Sequence, residues 1–512
     1  MTKLNRLTVV CALFALCSWA VIGSQAQTFS TLTSFDGTNG AYSEAALVQG
    51  LNGNFYGTTQ FGGMDGSCII GLLACGTVFE IAASGQLITL YNFCSENNCA
   101  DGDEPAAGLV QGINGEFYGV TGDGGANNEG GTVFQISPAG KLKTLYNFCS
   151  QHGCVDGAGP VANMVQAANG DFYGTTYAGG TSSACGNYTG CGTVFKVTPT
   201  GELTTLYSFC SQPSCADGGQ PYAGLMQATD GNFYGTTTEG GPNSNSSLCL
   251  PLGCGTVFKI TMAGKLTTLY NFCSQPNCAD GAQPFGGLVQ ASNGDFYGTT
   301  AWGDGFGTVF EMAPSGRLVT LYRFCAQPSC ADGTRPIAGL VQATNGDLYG
   351  STALGGVENN LCPSGGLGCG TIFEITPTGN LATLYSFCSQ TNCIDGDFPD
   401  AALMQATNGI LYGTTYYGGT SNYGTTFSLD VGIGPCVTFV RAAGKVGQTG
   451  PILGQGFTGT TSVMLNGIPA NFKVISDTFI KATVPPGATT GYVTVTTPTG
   501  ILTSNVPFQV IP

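Results

Sequence analysis

Four short phrases decide the fold of this 512-residue chain: GLMQA at residues 224–228, FYGTT at 233–237, GTVFKI at 255–260 and LTTLYNF at 266–272. Each phrase is rich in Val, Ile, Leu, Phe, Tyr and Thr, which is the composition of β-strands. The turn Thr229-Asp230-Gly231-Asn232 joins the first two phrases, and other copies have Asn-Gly there, which favours a tight hairpin. The stretch therefore predicts four antiparallel strands.

The same four phrases recur along the chain. The motif Gly-x-(Phe/Leu)-Tyr-Gly ends at Gly57, Gly119, Gly174, Gly235, Gly298, Gly350 and Gly413. Residues 28–35, TFSTLTSF, resemble the fourth phrase, whereas the seventh repeat stops after its third phrase. The N-terminal strand 28–35 is therefore expected to close the last blade. We predict an all-β protein in which residues 27–432 form a seven-bladed β-propeller of four-stranded blades.

The last segment, residues 433–512, lacks the repeat phrases. It contains VMLNG at 463–467, a Pro-Pro-Gly turn at 485–487 and the alternating strand YVTVTT at 492–497. This segment resembles the IPT/TIG immunoglobulin-like domain, an Ig-like β-sandwich common on cell-surface proteins. The resemblance implies a spacer or a protein-contact module rather than a catalyst.

The repeats resemble a known family as well. The phrases YGTT before Gly-Gly, GTVF, TLYxF and Asp-Gly before Pro are similar to the Gloeo-Verruco (GloVer) tandem repeat of exported bacterial proteins, over residues 28–430. The resemblance implies kinship and export, and it brings no defined chemistry.

The N-terminus and the net charge indicate the compartment. Lys3 and Arg6, the apolar run 7–23 and the small residues around Ala26 predict a signal peptide over residues 1–26. No later stretch is long and apolar enough to span a bilayer, so we expect an extracellular or cell-surface protein with no transmembrane segment in the mature chain. The chain has 14 Lys and Arg against 30 Asp and Glu, which argues against a nucleic acid partner.

The cysteines are arranged as close pairs. Of the 23 Cys, two lie in the predicted signal peptide, and both members of a pair appear or vanish together from repeat to repeat, as disulfides do. The alternative, a metal site, is disfavoured because His152 is the one imidazole and the spacing is not Cys-x-x-Cys, so no metal and no cofactor is expected. Cys436 is left over, as a buried free thiol or, less favoured, an intermolecular disulfide. The predicted disulfides are Cys68–Cys75, Cys94–Cys99, Cys149–Cys154, Cys185–Cys191, Cys210–Cys215, Cys249–Cys254, Cys273–Cys278, Cys325–Cys330, Cys362–Cys369 and Cys388–Cys393.

A propeller would place both sets of disulfide loops on one face and the tight turns on the other. On the loop face, a two-residue slot of variable sequence follows each YG-(T/V/S)-T, and several slots hold aromatic or acidic residues that suit a sugar or a peptide. The alternative is that these side chains only pack between neighbouring loops. The candidate ligand-binding residues are Phe61, Asp123, Tyr177, Glu239, Trp302, Tyr416 and Tyr417.

Each repeat also has an Asp-Gly pair, which is predicted to cap a loop through an Asx turn. A local calcium ion at 101–104 or 395–397 is the alternative. These aspartates are Asp36, Asp101, Asp156, Asp217, Asp280, Asp332 and Asp395.

The sequence favours an exported, non-catalytic binding or adhesion protein whose loop face engages an extracellular glycan or a surface protein. No catalytic residue is assigned. A secreted carbohydrate-active enzyme, a glycosidase or a lyase, is one alternative, because glycoside hydrolysis needs two converging carboxylates. A structural cell-envelope protein is the other. The acids considered for the enzyme are Asp65, Asp123, Glu239, Asp304 and Glu358.

Overall fold

The computed structural model describes residues 27–63, 75–127, 130–185, 190–243, 249, 252–356, 362 and 368–511. The predicted signal peptide lies outside the described residues. The described chain is all-β, without an α-helix, and each of the seven repeats forms one four-stranded antiparallel sheet. The first strand of the chain is β1 (Thr28–Ser34), and in repeats one to six the strands follow chain order within each sheet.

The strands of these six sheets match the four phrases. They are β2 (Val48–Gln49), β3 (Phe55–Thr59), β4 (Thr77–Ile81) and β5 (Leu87–Asn92) in repeat one; β6 (Val110–Gln111), β7 (Phe117–Thr121), β8 (Thr132–Ile136) and β9 (Leu142–Asn147) in repeat two; β10 (Val165–Gln166), β11 (Phe172–Thr176), β12 (Thr193–Val197) and β13 (Leu203–Ser208) in repeat three; β14 (Met226–Gln227), β15 (Phe233–Thr237), β16 (Thr256–Ile260) and β17 (Leu266–Asn271) in repeat four; β18 (Val289–Gln290), β19 (Phe296–Thr300), β20 (Thr308–Met312) and β21 (Leu318–Arg323) in repeat five; and β22 (Val341–Gln342), β23 (Leu348–Thr352), β24 (Thr371–Ile375) and β25 (Leu381–Ser386) in repeat six.

The seventh sheet contains the N-terminal strand. Its own strands are β26 (Met404–Gln405), β27 (Leu411–Thr415) and β28 (Thr425–Asp430), and β1 pairs antiparallel with β28 along its length, from Thr28 opposite Asp430 to Ser34 opposite Thr425. Phe29 of β1 stacks on Tyr385 of repeat six, with ring centroids 3.8 Å apart. The two ends of the repeat array therefore share one sheet.

Large side chains pack between neighbouring sheets because a glycine makes room for them. A Cβ at Gly298 would lie 2.6 Å from the Phe310 ring, so only glycine allows this aromatic ring to cross the middle of the sheet. The tyrosine before each such glycine packs on the next repeat, as Tyr234 does on Phe296 with centroids 4.2 Å apart. These buried rings form the core between sheets.

Hydrogen bonds between neighbouring repeats follow one pattern. The Thr58 hydroxyl of repeat one donates to the carbonyl of Ala107 in repeat two, at 2.8 Å. The Thr414 hydroxyl of repeat seven donates in the same way to the carbonyl of Ala45 in repeat one, at 3.2 Å. The seventh repeat therefore contacts the first as the first contacts the second.

Nine of the ten predicted cysteine pairs are present as disulfide bonds. The tenth, Cys68–Cys75, cannot be described because Cys68 lies outside the described residues. Cys436 is a buried free cysteine. Six of the disulfides close 3-10 turns at Asn97–Cys99, His152–Cys154, Pro213–Cys215, Pro276–Cys278, Pro328–Cys330 and Thr391–Cys393.

The last segment forms two further four-stranded sheets around a common apolar core. One sheet has the order β29-β31-β35-β34, the other has the order β33-β32-β36-β37, and β30 pairs in parallel with β38. The strands are β29 (Thr438–Phe439), β30 (Ala443–Lys445), β31 (Thr449–Leu453), β32 (Ser462–Leu465), β33 (Ile468–Pro469), β34 (Phe472–Ser476), β35 (Phe479–Thr483), β36 (Val493–Thr497), β37 (Gly500–Thr503) and β38 (Gln509–Ile511).

This segment lies against the hairpin turns between the first two strands of the repeats. The Thr478 hydroxyl donates to the carbonyl of Leu51 in repeat one at 2.8 Å, and the amide of Cys436 donates to the carbonyl of Thr407 in repeat seven at 3.0 Å. Each disulfide loop follows the second or the fourth strand of a sheet, whereas the hairpin turn follows the first strand. Because neighbouring strands are antiparallel, the disulfide loops lie at the end of the sheet opposite to the hairpin turns. The C-terminal segment therefore occupies the side away from the disulfide loops.

Candidate functional site

The loop that enters each repeat has a left-handed residue at one equivalent position, two residues before the cavity wall, with φ between 52° and 60°. We call these residues the αL positions. At Arg335, for example, the amide donates to the carbonyl of Phe306 in the preceding repeat, and its carbonyl accepts from the amide of Ala353 in its own repeat. Such a conformation costs a non-glycine residue about 1 kcal/mol, so these contacts must hold it. The αL positions are Tyr42, Glu104, Gly159, Gln220, Gln283, Arg335 and Phe398.

Two residues after each αL position, every repeat contributes a residue to the wall of one cavity. This cavity has a volume of about 490 Å³, and it receives lining residues from all seven repeats. A proline separates the two positions in repeats two to seven, which fixes the local backbone. We call the second set the cavity positions; they are Glu44, Ala106, Val161, Tyr222, Phe285, Ile337 and Asp400.

Two of the cavity positions are acidic, and they belong to the repeats that meet at the ends of the array. Glu44 is in repeat one and Asp400 is in repeat seven. The Thr414 hydroxyl of repeat seven is within hydrogen-bonding distance of the carbonyls of Ser43 and Ala45, on either side of Glu44. The contact between the first and last repeats, which we call the seam, therefore brings two acidic cavity positions into neighbouring repeats.

The surroundings of this pair disfavour two negative charges. Burial, together with the charge of Glu104, raises the pKa of Glu44 to about 7. Burial and the charge of Glu44 raise the pKa of Asp400 well above its ordinary value. Burial, together with the charges of the same two carboxylates, raises the pKa values of Tyr222 and Tyr416. The pair therefore holds a proton near neutral pH, as closely coupled acids do.

Three of the predicted binding residues meet around one αL position. The Tyr42 ring lies 4.8 Å from Tyr416, 5.5 Å from Tyr417 and 5.9 Å from Phe61, measured between centroids. Phe398 adds a ring 6.3 Å from Tyr416. All five rings are half-buried. An aromatic cluster therefore stands at the seam, next to the carboxylate pair.

The other predicted aromatics lie further round the cavity. The Tyr177 hydroxyl donates to Oε1 of Gln220 at 3.0 Å, and its ring contacts Tyr222, which contacts Phe285 in turn. Trp302 is half-buried and lies under the Arg335 guanidinium, whose carbon is 4.6 Å from the ring centroid. Each predicted aromatic thus contacts an αL or a cavity position, but none of the five lines the cavity itself.

The three predicted acids that the structure describes do not form the pair that hydrolysis needs. Asp123 forms a backbone bridge with Asp103. The pKa of Glu239 is raised by burial, with no second acid contributing. Asp304 is exposed. None of the three lines the cavity. Asp65 and Glu358 lie outside the described residues. The structure brings together Glu44 and Asp400 instead, which the sequence analysis did not single out.

The Asp-Gly aspartates cap loops. Asp280 is buried and accepts four hydrogen bonds, from the Tyr270 hydroxyl, the amide and hydroxyl of Ser274 and the amide of Gln275, at 2.8–3.1 Å. Asp101, Asp156, Asp217 and Asp395 repeat this pattern. Within the described ranges, every close group of three or more metal-type ligands includes disulfide-bonded cysteines, which do not coordinate metals.

A comparison of the repeats with one another would have found the acidic pair. The residue after the proline, or after Ser43 in repeat one, is apolar or aromatic in five repeats and acidic only in the first and seventh. These two repeats become neighbours once β1 joins the last sheet. The informative signal was thus a departure from the repeat, combined with its topology.

The described helical turns include none long and apolar enough to cross a membrane. The seven similar sheets define an all-β tandem-repeat protein. The family model described as the Gloeobacter/Verrucomicrobia repeat matches residues 20–186, 153–275 and 250–467. The chain belongs to this family.

Solved structures resemble the chain only at low identity and low TM-score. The extracellular domain of a hybrid two-component system from B. thetaiotaomicron is 10% identical to this chain, with a TM-score of 0.46. The match covers 78% of this chain and 39% of the two-component chain, so this chain spans less than half of its length. A luciferin-regenerating enzyme is 12% identical, with a TM-score of 0.38, covering 62% of this chain and 89% of its own. Likenesses at this level carry no argument about function. No curated protein matches the chain.

Proposed function

We propose that residues 27–432 form a seven-bladed β-propeller, closed by β1, and that residues 433–512 form an IPT/TIG-like domain. The pairing of β1 with β28 and the common pattern of contacts between repeats support the closed ring. Two four-stranded sheets around one core support the immunoglobulin-like assignment of the last segment.

The protein functions outside the cytoplasm in this proposal. The predicted signal peptide over residues 1–26 would direct export, and nine disulfides are compatible with an oxidising compartment. The last segment contacts the hairpin turns, so the disulfide-loop face is available to a partner on the cell surface or in the medium.

On this face the protein binds an extracellular saccharide at the mouth of the cavity. The observation that carries this function is the cavity itself, about 490 Å³ in volume and walled by aromatic and charged side chains from different repeats. Aromatic rings provide flat faces for sugar rings, and the few charged groups fix orientation through hydrogen bonds. The rigid loops that carry these groups are a common setting for binding.

The half-buried pair Glu44 and Asp400 favours a second candidate, a glycoside-cleaving enzyme. Burial raises the pKa of both carboxyl groups, and acid and base catalysis require groups that exchange a proton near neutral pH. A non-catalytic binding protein differs from this enzyme in a single observable, the release of new reducing ends.

A polysaccharide pull-down on the oxidised chain beginning at residue 27, with reducing ends assayed in parallel, tests both candidates. The variants are Trp302→Ala and Tyr416→Ala in the candidate site, and Tyr492→Ala, which is 40% exposed on the C-terminal segment, as the matched control. We expect saturable binding that is lost in the first two variants and retained in the control, with no new reducing ends. Binding that all three variants retain would contradict the proposed site, and released sugar would identify the enzyme.

A further inference from the structure

The carboxylates of Glu44 and Asp400 have no positive partner within the part of the chain that the structure describes. The described ion pairs are Lys196–Asp171 and Lys259–Asp230, and neither involves a cavity residue. Arg335 also lines the cavity, but its guanidinium lies over the ring of Trp302 and forms no ion pair there. Burying two carboxylates without a counter-charge is costly, so the pair is poised to receive one.

Asp400 also has an unused acceptor. Its Oδ1 atom is buried and accepts no hydrogen bond, although more than nine in ten buried polar groups in proteins are paired. The residue itself lies in the cavity wall. The Oδ1 atom of Asp400 therefore lacks a donor on its protein side, and a donor on a ligand in the cavity would compensate for this lack.

The aromatic part of the wall favours an organic cation. Tyr222, Phe285 and Phe398 line the same cavity, and Tyr222 contacts Phe285 with centroids 5.3 Å apart. Aromatic faces attract ammonium groups through their quadrupole, most strongly where water is excluded. Carboxylates and aromatic rings together therefore complement a protonated amine.

A divalent metal ion fits the same residues less well. Calcium takes six to eight oxygen ligands, usually from several carboxylates. In the described ranges, no third Asp, Glu, His or Cys side chain joins Glu44 and Asp400 in a cluster of potential ligands. A primary ammonium needs only three acceptors, which two carboxylates and one further oxygen supply.

We propose that Glu44 and Asp400 bind the protonated amine of an amino sugar, so that the saccharide recognised in the cavity carries a free amine. This inference rests on the proposed saccharide-binding function and specifies its ligand class. It assigns the seam between the first and seventh repeats as the point that determines specificity.

The experiment compares two ligands that differ only in the amine: oligomers of β-1,4-linked glucosamine and their fully N-acetylated counterparts of the same length. Affinities are measured by titration calorimetry for the wild type, Glu44→Gln, Asp400→Asn and, as control, Glu202→Gln, which is exposed on a turn distant from the cavity. Unfolding midpoints verify that the variants fold. We expect the wild type and the control to prefer the free amine by about tenfold or more, equivalent to about 1.4 kcal/mol.

The two cavity variants should lose this preference while binding the acetylated oligomer about as well as the wild type does. Equal affinity of the wild type for the two oligomers would overturn the inference and leave saccharide binding intact. A preference retained in both variants would overturn it too. If EDTA abolished binding, the pair would be a metal site instead. If neither the oligomers nor the polysaccharides bound, both the inference and the proposed function would fall.

A second readout tests the role of the pair directly. The pair holds a proton near pH 7, facing Glu104, Tyr222, Tyr416 and Tyr417, and a bound ammonium would displace that proton. The binding enthalpy of the amine ligand should therefore depend on the ionisation enthalpy of the buffer in the wild type and much less in Glu44→Gln. A buffer dependence equal in both proteins would contradict the assignment.

Discussion

Removal of the Phe29 side chain tests whether the N-terminal strand holds the repeat array together. Phe29 lies in β1, 3.8 Å from the Tyr385 ring and 5.4 Å from the Phe427 ring between centroids, so it joins the seventh sheet to the sixth. Phe→Ala in a full core costs about 3–5 kcal/mol, and Phe29 is half-buried. We therefore expect Phe29→Ala to lower the free energy of unfolding by about 2 kcal/mol.

The assay is urea unfolding followed by the fluorescence of Trp302, the single tryptophan after residue 26. Trp302 belongs to repeat five, so its signal reports a change at β1 only if the repeats unfold together. The control is Ser30→Ala, an exposed neighbour on the same strand, which should leave the unfolding midpoint unchanged. If the Phe29→Ala and wild-type midpoints coincide at Trp302, the reasoning that β1 closes a cooperative ring is refuted.

Three further predictions concern the loops and the cavity. Replacing Cys325 and Cys330 together by Ala should lower the free energy of unfolding by roughly 2 kcal/mol in chemical denaturation, because a six-residue loop is no longer closed. The control is Cys436→Ala, which breaks no disulfide, and an equal loss in both variants would contradict the loop argument. Asp280→Ala should lower the free energy of unfolding by about 3 kcal/mol, because four donors lose their charged acceptor. Thermal unfolding measures this loss, and a much smaller loss would show that the loop satisfies these donors in another way. Folding raises the pKa of Glu44 from 4.5 to about 7, so the folded state binds a proton more tightly than the unfolded state. The stability that this proton contributes is complete below pH 4.5 and is lost as the pH rises towards 7. The unfolding midpoint should therefore fall less between pH 5 and pH 8 in Glu44→Gln than in the wild type, and identical pH profiles would exclude this role.

The strands and disulfides were predictable because they depend on local sequence. The phrase FYGTT at residues 233–237 coincides with β15, and each close cysteine pair follows from two residues five to seven positions apart. The loop-capping role of Asp280 also follows from a local Asp-Gly turn. Because these patterns recur in several repeats, each copy supports the interpretation of the others.

The acidic pair was not predictable in the same way because it depends on which repeats become neighbours. Glu44 and Asp400 are distant in sequence, and they occupy neighbouring positions in the cavity wall because repeat seven contacts repeat one. The slot residues Asp123 and Glu239 attracted attention as acids next to aromatics, yet their side chains do not line the cavity. A local pattern shows residue type, whereas the inward direction of a side chain depends on the αL position two residues earlier.

The most direct test of the central claim, that the cavity on the disulfide-loop face binds the ligand, is the fluorescence of Trp302 during titration with an oligosaccharide. Trp302 contacts Arg335 in the cavity wall, so a ligand entering the cavity changes the surroundings of the one tryptophan that reports. We expect a saturable change whose midpoint agrees with the affinity from calorimetry and which disappears in Tyr416→Ala. Calorimetric binding with an unchanged tryptophan signal, and with the same affinity in Tyr416→Ala, would place the ligand elsewhere and contradict the account.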